Sequence, residues 1–258
     1  MTSIDRTTAP KRVPMGSLRK TSLVAGALYI LTFITSIPAT LVFLVPVLSN
    51  PNYILGAAPD TGVVWGNLLD VICALAGVGT AIALYPVVKR QNEAVALGFV
   101  TSRLLEGATI VVGVVSLLTL VTLRQDLAGA TGADAASLVT TGHALVTFNN
   151  WTAVLGQGLM PGVNALLLGS LMYKSGLVPR VIPVLGLIGA PILLASVTAT
   201  VFGVFGQFSS VALIAALPVA LWEFSLGVWL VVKGFKPSPI TTGLHATTAP
   251  PVYRDVTV

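Results

Sequence analysis

The chain has 258 residues, of which 9% are charged, and its mean hydropathy is +0.92. Soluble domains carry about 25% charged residues, so an ordinary soluble fold is excluded. A net charge of +5 would suggest nucleic acid in a soluble protein, but no basic surface with interleaved aromatics lies outside the apolar stretches, so no nucleic-acid partner is expected.

In chain order, residues 1–19 are polar, basic and proline-containing, and read as a disordered cytoplasmic arm. Six apolar stretches follow, at residues 21–48, 62–88, 94–123, 145–173, 181–205 and 211–232. Each has at least 22 residues, and about 20 are enough to cross a ~30 Å hydrocarbon core. Backbone groups in lipid must bond internally, and continuous apolar runs are not the alternation of a barrel, so the stretches are predicted helices. The first, at 28 residues, is too long for the ~7–15-residue core of a signal peptide. The loop at 49–61 carries the turn signal Asn50-Pro51-Asn52, and the longer loop at 124–144 contains a helix start at Asp134. Residues 234–258, rich in Gly, Thr and Pro, read as a second disordered cytoplasmic tail. The expected fold is an all-α polytopic transmembrane bundle in a single domain, residues 20–233, with both termini cytoplasmic.

The loops fix this orientation. With the N-terminus inside, twelve of the fourteen Lys and Arg fall in cytoplasmic segments; Arg124 lies outside and Arg103 within a span. Such sorting is what the positive-inside rule demands, and it accounts for the basic excess through contact with anionic lipid.

Four ionisable groups sit inside the spans: Asp70, Arg103, Glu106 and Glu223. A charge at mid-membrane costs at least ~2.5–3.5 kcal/mol, so they are expected to face one another or a wet cavity. Arg103 is nine residues past Ala94, Asn164 nine before Tyr173 and Glu223 nine before Val232, about 14 Å from the inner boundary at ~1.5 Å per residue. One inner-half cluster of Arg103, Glu106, Glu223 and Asn164 is therefore expected. Asp70 belongs to a separate outer-half group with Asn67, Asn149, Asn150 and, at the interface, His143. In the fourth span Gly156, Gly158, Pro161 and Gly162 fall within seven residues, which predicts a kink or an unwound turn.

A lone cysteine, Cys73, and two distant histidines leave no metal site to expect, and no phosphate-binding, zinc-protease or nucleophile-elbow motif is present. No cofactor is expected.

The runs Leu28-Tyr-Ile-Leu-Thr-Phe-Ile-Thr-Ser-Ile-Pro-Ala39, Ala83-Leu-Tyr-Pro-Val-Val-Lys-Arg-Gln-Asn-Glu93, Ser102-Arg-Leu-Leu-Glu106 and Asn150-Trp-Thr-Ala-Val-Leu-Gly156 form a recognisable set, together with the run from Ser175 to Pro191. Over roughly residues 18–236 they resemble the bacterial, mostly actinobacterial, multi-pass membrane family known as domain-of-unknown-function family 4386. The resemblance implies a helical bundle in a bacterial plasma membrane and transfers no activity. Three functions remain open: a small-molecule binding or transport protein built on the Arg/Glu cluster, an intramembrane enzyme acting on a lipid or isoprenoid, and a structural or regulatory protein without chemistry. The lipid bilayer is the expected partner, with a small-molecule or lipid ligand for the first two and homo-oligomerisation compatible with the modest size.

Overall fold

A computed structural model describes residues 16–50, 53–55, 59–128 and 131–242. The described residues are helical, with no strand among them, and six helices are long and apolar enough to cross a membrane. This is a multi-pass integral membrane fold. Helix α1 (Ser17–Pro38) continues through a π-helical turn (Ala39–Leu44) into α2 (Val45–Leu48), making the first span. A 3-10 turn (Tyr53–Leu55) precedes α3 (Thr61–Val88) and α4 (Glu93–Asp126). Helices α5 (Ala133–Ala153) and α6 (Met160–Ser175) are joined by a second π-helical turn (Val154–Leu159) into one apolar span of 42 residues. Then come α7 (Val181–Val201) and α8 (Ser210–Val232).

The helix start expected at Asp134 thus runs directly into the fourth span, ahead of residue 145. At ~1.5 Å per residue the helix is about 63 Å long, roughly twice a hydrocarbon core. Its N-terminal part meets the 3-10 turn and the end of α4 in a cluster built on Leu44, Val47, Tyr53, Ile54, Leu117, Leu120 and Leu138. The fifth span ends at Val201 rather than residue 205, because Gly203 adopts φ +73°, a left-handed turn open to glycine.

The spans close into a ring in the order α1, α3, α4, α6, α7, α8 and back to α1. Small residues permit the tight crossings: a Cβ on Gly26 of α1 would lie 2.7 Å from the Gly227 carbonyl oxygen of α8. The ring is filled on one side only. At the end where α1 begins and α8 finishes, Tyr29, Leu84, Phe99, Leu168, Met172 and Leu226 pack into a core.

That termini end is further locked by polar contacts. Arg19, assigned by sequence to the arm, is in α1 and donates to the Leu230 (3.0 Å) and Val231 (2.6 Å) carbonyls, satisfying the open C-terminal turn of α8. The first part of the expected tail is also seated. Lys236 N donates to the Leu177 carbonyl at 2.7 Å and Ser238 Oγ to the Ser175 carbonyl at 2.6 Å, with Phe235 and Ile240 against the core. Structure thus replaces the expected disorder over 234–242, because this segment offers apolar side chains and a capping serine to the α6–α7 turn. Residues 1–15 and 243–258, the rest of the arm and tail, lie outside the described residues.

Candidate functional site

Arg103 projects from α4 into the ring interior, where its side chain is 3% exposed. Its guanidinium donates from Nη1 to Glu106 Oε2 at 3.0 Å, one turn along the same helix. From Nη2 it donates to the Tyr29 hydroxyl of α1 at 3.2 Å and pairs with Glu223 of α8. The rings of Tyr29 and Phe99 lie 5.2 and 5.8 Å from its Cζ, favourable positions for a cation over an aromatic face. From α6, Asn164 Nδ2 donates to Glu106 Oε2 at 2.7 Å. The structure thus brings together Arg103, Glu106, Glu223 and Asn164, from three separate helices. Tyr29 joins them. Depth counting from span ends does not reveal a phenol reaching across the ring.

The cluster is incomplete in two respects. One guanidinium faces two carboxylates, so the group carries a negative charge unless a proton or a cation is added. Arg103 Nε and Asn164 Oδ1 are buried without a hydrogen-bond partner, and such atoms are uncommon in native interiors.

A cavity of about 460 Å³ rises from the cluster. Its lining begins at Arg103 on α4, ends at Glu223 on α8 and Gly77 on α3, and reaches Gln207 and Phe208 in the α7–α8 turn. Lining stops at the level of the ions on each of these helices. Below them lies the packed core, so the cluster is the floor of a cavity open away from the termini end.

The sequence-predicted outer group divides. Asp70, Asn149 and Asn150 line the cavity wall, whereas Asn67 is buried beside it with both amide atoms unpartnered. Asn149 Nδ2 donates to the Gly113 carbonyl at 3.1 Å, and Gln207 Nε2 reaches Asn150 Oδ1 at 3.4 Å. His143 is not part of this set: it is exposed on the outer side of α5 in a shallow dent with Phe148 and Trp151. Its face of the helix points it away from the cavity.

At Gly156, Gly158, Pro161 and Gly162, where a kink or an unwound turn is expected, the helix widens into the π-helical turn over 154–159, with Pro161 in the first turn of α6. A widened turn absorbs the donor that proline lacks and relieves its clash with the preceding carbonyl. Gly156 is required for packing, since a Cβ there would collide with the Thr109 hydroxyl. The same device precedes Pro46 in the first span, where the π-helical turn of residues 39–44 passed unnoticed in the sequence. Both widened turns border the cavity, through Thr40 and Leu41 in one and Gln157 and Gly158 in the other.

Among the described residues, no group of three or more His, Cys, Asp or Glu side chains is placed to hold a metal ion.

A second ionic group lies at the far rim. Arg124 pairs with Asp60 just ahead of α3, Tyr53 donates to Asp60 Oδ1 at 2.8 Å, and Gln125 donates to Asp60 Oδ2 at 2.9 Å. Arg124 Cζ also lies 4.5 Å from the Tyr53 ring centre. Burial pushes the Asp60 carboxyl up, but the donated hydrogen bonds and the Arg124 charge outweigh it and hold the group below its ordinary value. Burial, then the bond to Asp60, pushes the Tyr53 phenol up to about 12.

The family model described as Domain of unknown function (DUF4386) matches residues 24–234, so the chain belongs to this family. No curated protein and no solved structure matches it.

Proposed function

For this member of the DUF4386 family we propose a small-molecule binding or transport role, exercised in the cavity above Arg103, Glu106 and Glu223. The observation that carries this reading is the coincidence of the two features: among the described residues, the only charged side chains lining the cavity are these three and Asp70. A clasp that merely joined helices would gain nothing from an adjoining void, because packed apolar side chains do that work at no desolvation cost. An enclosed, largely apolar space with a few convergent polar groups is the usual form of a small-molecule site.

Sorting of Lys and Arg to the termini end supports a cytoplasmic N-terminus and C-terminus, with the cavity opening on the other face. The family resemblance noted above supports residence in a bacterial plasma membrane. An enzyme reading gains no comparable support: no metal cluster is present among the described residues, and the Cys73 thiol on the cavity wall donates to the Thr32 carbonyl rather than to a carboxylate.

The test is thermal melting of the purified protein against a panel of cationic, anionic, zwitterionic and neutral amphiphiles. Ligand held at about 100 times its dissociation constant stabilises by roughly 2.7 kcal/mol. At least one member is expected to raise the melting temperature of wild type and to lose that effect in Glu223→Gln. A panel without any stabiliser, or one whose effect Glu223→Gln leaves intact, would overturn the reading.

A further inference from the structure

We propose that the cavity selects an apolar-tailed organic cation, an ammonium group carried on a hydrocarbon body. This rests on the reading of the cavity as a binding site, and names the class of ligand.

Charge is the first argument. The lining holds three carboxylates (Asp70, Glu106 and Glu223) against one guanidinium, with no lysine or histidine. Arg103 is already engaged by both glutamates, which more than offset its charge, and only its Nε is left without a partner. The surplus is negative, and a low-dielectric wall amplifies its preference for a cation.

Asp70 supplies a second, independent observation. It is 6% exposed, lines the cavity and makes no ion pair, and its Oδ1 atom has no hydrogen-bond partner. Gln157 hydrogen-bonds to this carboxyl, but a buried oxygen left open is still costly, and the charge of an ammonium group would offset that cost. Asp70 stands seven residues before Gly77, which faces the Arg103 guanidinium, so it lies about 10 Å farther along the wall. The cavity thus presents one carboxylate midway and two at its base.

The remaining lining fixes the rest of the ligand. Ile37 and Leu41 of the first span and Leu213 of α8 line the cavity and are each more than half exposed. That exposed surface is the one acyl chains cover. The cavity therefore meets lipid along the gap between α1 and α8, on the far side of the Phe33–Phe224 ring contact, whose centroids are 5.5 Å apart. A hydrocarbon tail can stay in the bilayer while its charged head enters.

The experiment is binding of radiolabelled dodecyltrimethylammonium to the full chain in neutral maltoside micelles, with empty micelles as blank. Saturable binding is expected, displaced by dodecylamine and not by dodecanoate, and weakened at least tenfold in Asp70→Asn. Asp70→Glu, which keeps the charge, is expected to restore most of the affinity. Because Asp70 holds no ion pair, Asp70→Asn is expected to melt like wild type. Should it fail to fold, Glu223→Gln, which leaves Arg103 and Glu106 as a balanced pair, supplies the same comparison. Displacement by phosphatidylethanolamine would assign the ammonium to a lipid headgroup, and its failure to displace would assign a free amine; both support the proposal. Dodecanoate binding in place of the ammonium, binding equal in Asp70→Asn, or no saturable ammonium binding would each overturn it. If a neutral or anionic amphiphile still stabilises the protein through Glu223, the site survives and only the cation assignment fails.

Discussion

The two ionic groups of this molecule are built from nearly the same parts and set in different surroundings. At the rim, Arg124 stacks on Tyr53 and pairs with Asp60, with Gln125 as an added donor. In the interior, Arg103 stacks on Tyr29 and pairs with Glu106 and Glu223, with Asn164 as an added donor. Among the described residues the rim group has one carboxylate for one arginine, and it joins the start of α3 to the end of α4. The interior group has one carboxylate too many, two unpartnered atoms and a cavity above it. Residue type alone therefore does not distinguish the two groups; stoichiometry and the adjoining space do.

The largest expected effect comes from breaking the interior group. Arg103→Met strands two buried carboxylates, and removing one partner of a buried pair costs about 3–5 kcal/mol. Melting in detergent is expected to show severe loss of stability or failure to accumulate in the membrane. Near-wild-type melting would erase the distinction between the two groups.

Asp60→Asn at the rim is expected to cost far less, about 1 kcal/mol or below, as for partly exposed pairs. It removes one charge from a group whose carboxylate is 21% exposed, and keeps an oxygen to accept from the neighbouring donors. A loss as large as that of Arg103→Met would show that the rim, not the interior, holds the bundle together.

The smallest effect is the pH response of the rim. Asp60 binds its proton more weakly in the folded state, so its contribution is present above the ordinary carboxylate value of about 3.9 and fades as pH falls through its lower folded value. Tyr53 binds its proton more strongly, so its contribution is full below about 10 and is lost as pH climbs toward about 12. Melting temperature should therefore fall at both extremes, and Asp60→Asn should flatten the acid limb. An unchanged acid limb in that variant would assign the acid response to other groups.

The sequence made the membrane fold legible through the length and continuity of its apolar runs, and counting residues from span ends brought Arg103, Glu106, Glu223 and Asn164 to one depth. Depth is only one coordinate, however. The direction of a side chain around its helix depends on packing between elements distant in sequence. That is why His143 left the group it was assigned to and why Tyr29 entered one unannounced. The π-helical turns were hidden for a related reason. Gly156 and Pro161 signal that a regular helix is disfavoured, but whether it kinks, unwinds or widens depends on neighbours such as Thr109. The seating of residues 235–242 on the α6–α7 turn was equally invisible, because a polar, proline-bearing segment has the composition of a free tail.

The central claim is that the interior ions form the floor of an accessible cavity, and the protein carries its own reporter. Cys73 is the single cysteine of the chain and lines that cavity. The most direct measurement is its modification by membrane-impermeant methanethiosulfonates added to either face, comparing trimethylammonium-ethyl with sulfonato-ethyl reagent. Labelling is expected from the face opposite the termini, faster with the cationic reagent after correction for their rates on a free thiol. A thiol that reacts only after unfolding, or only from the termini face, would contradict the account.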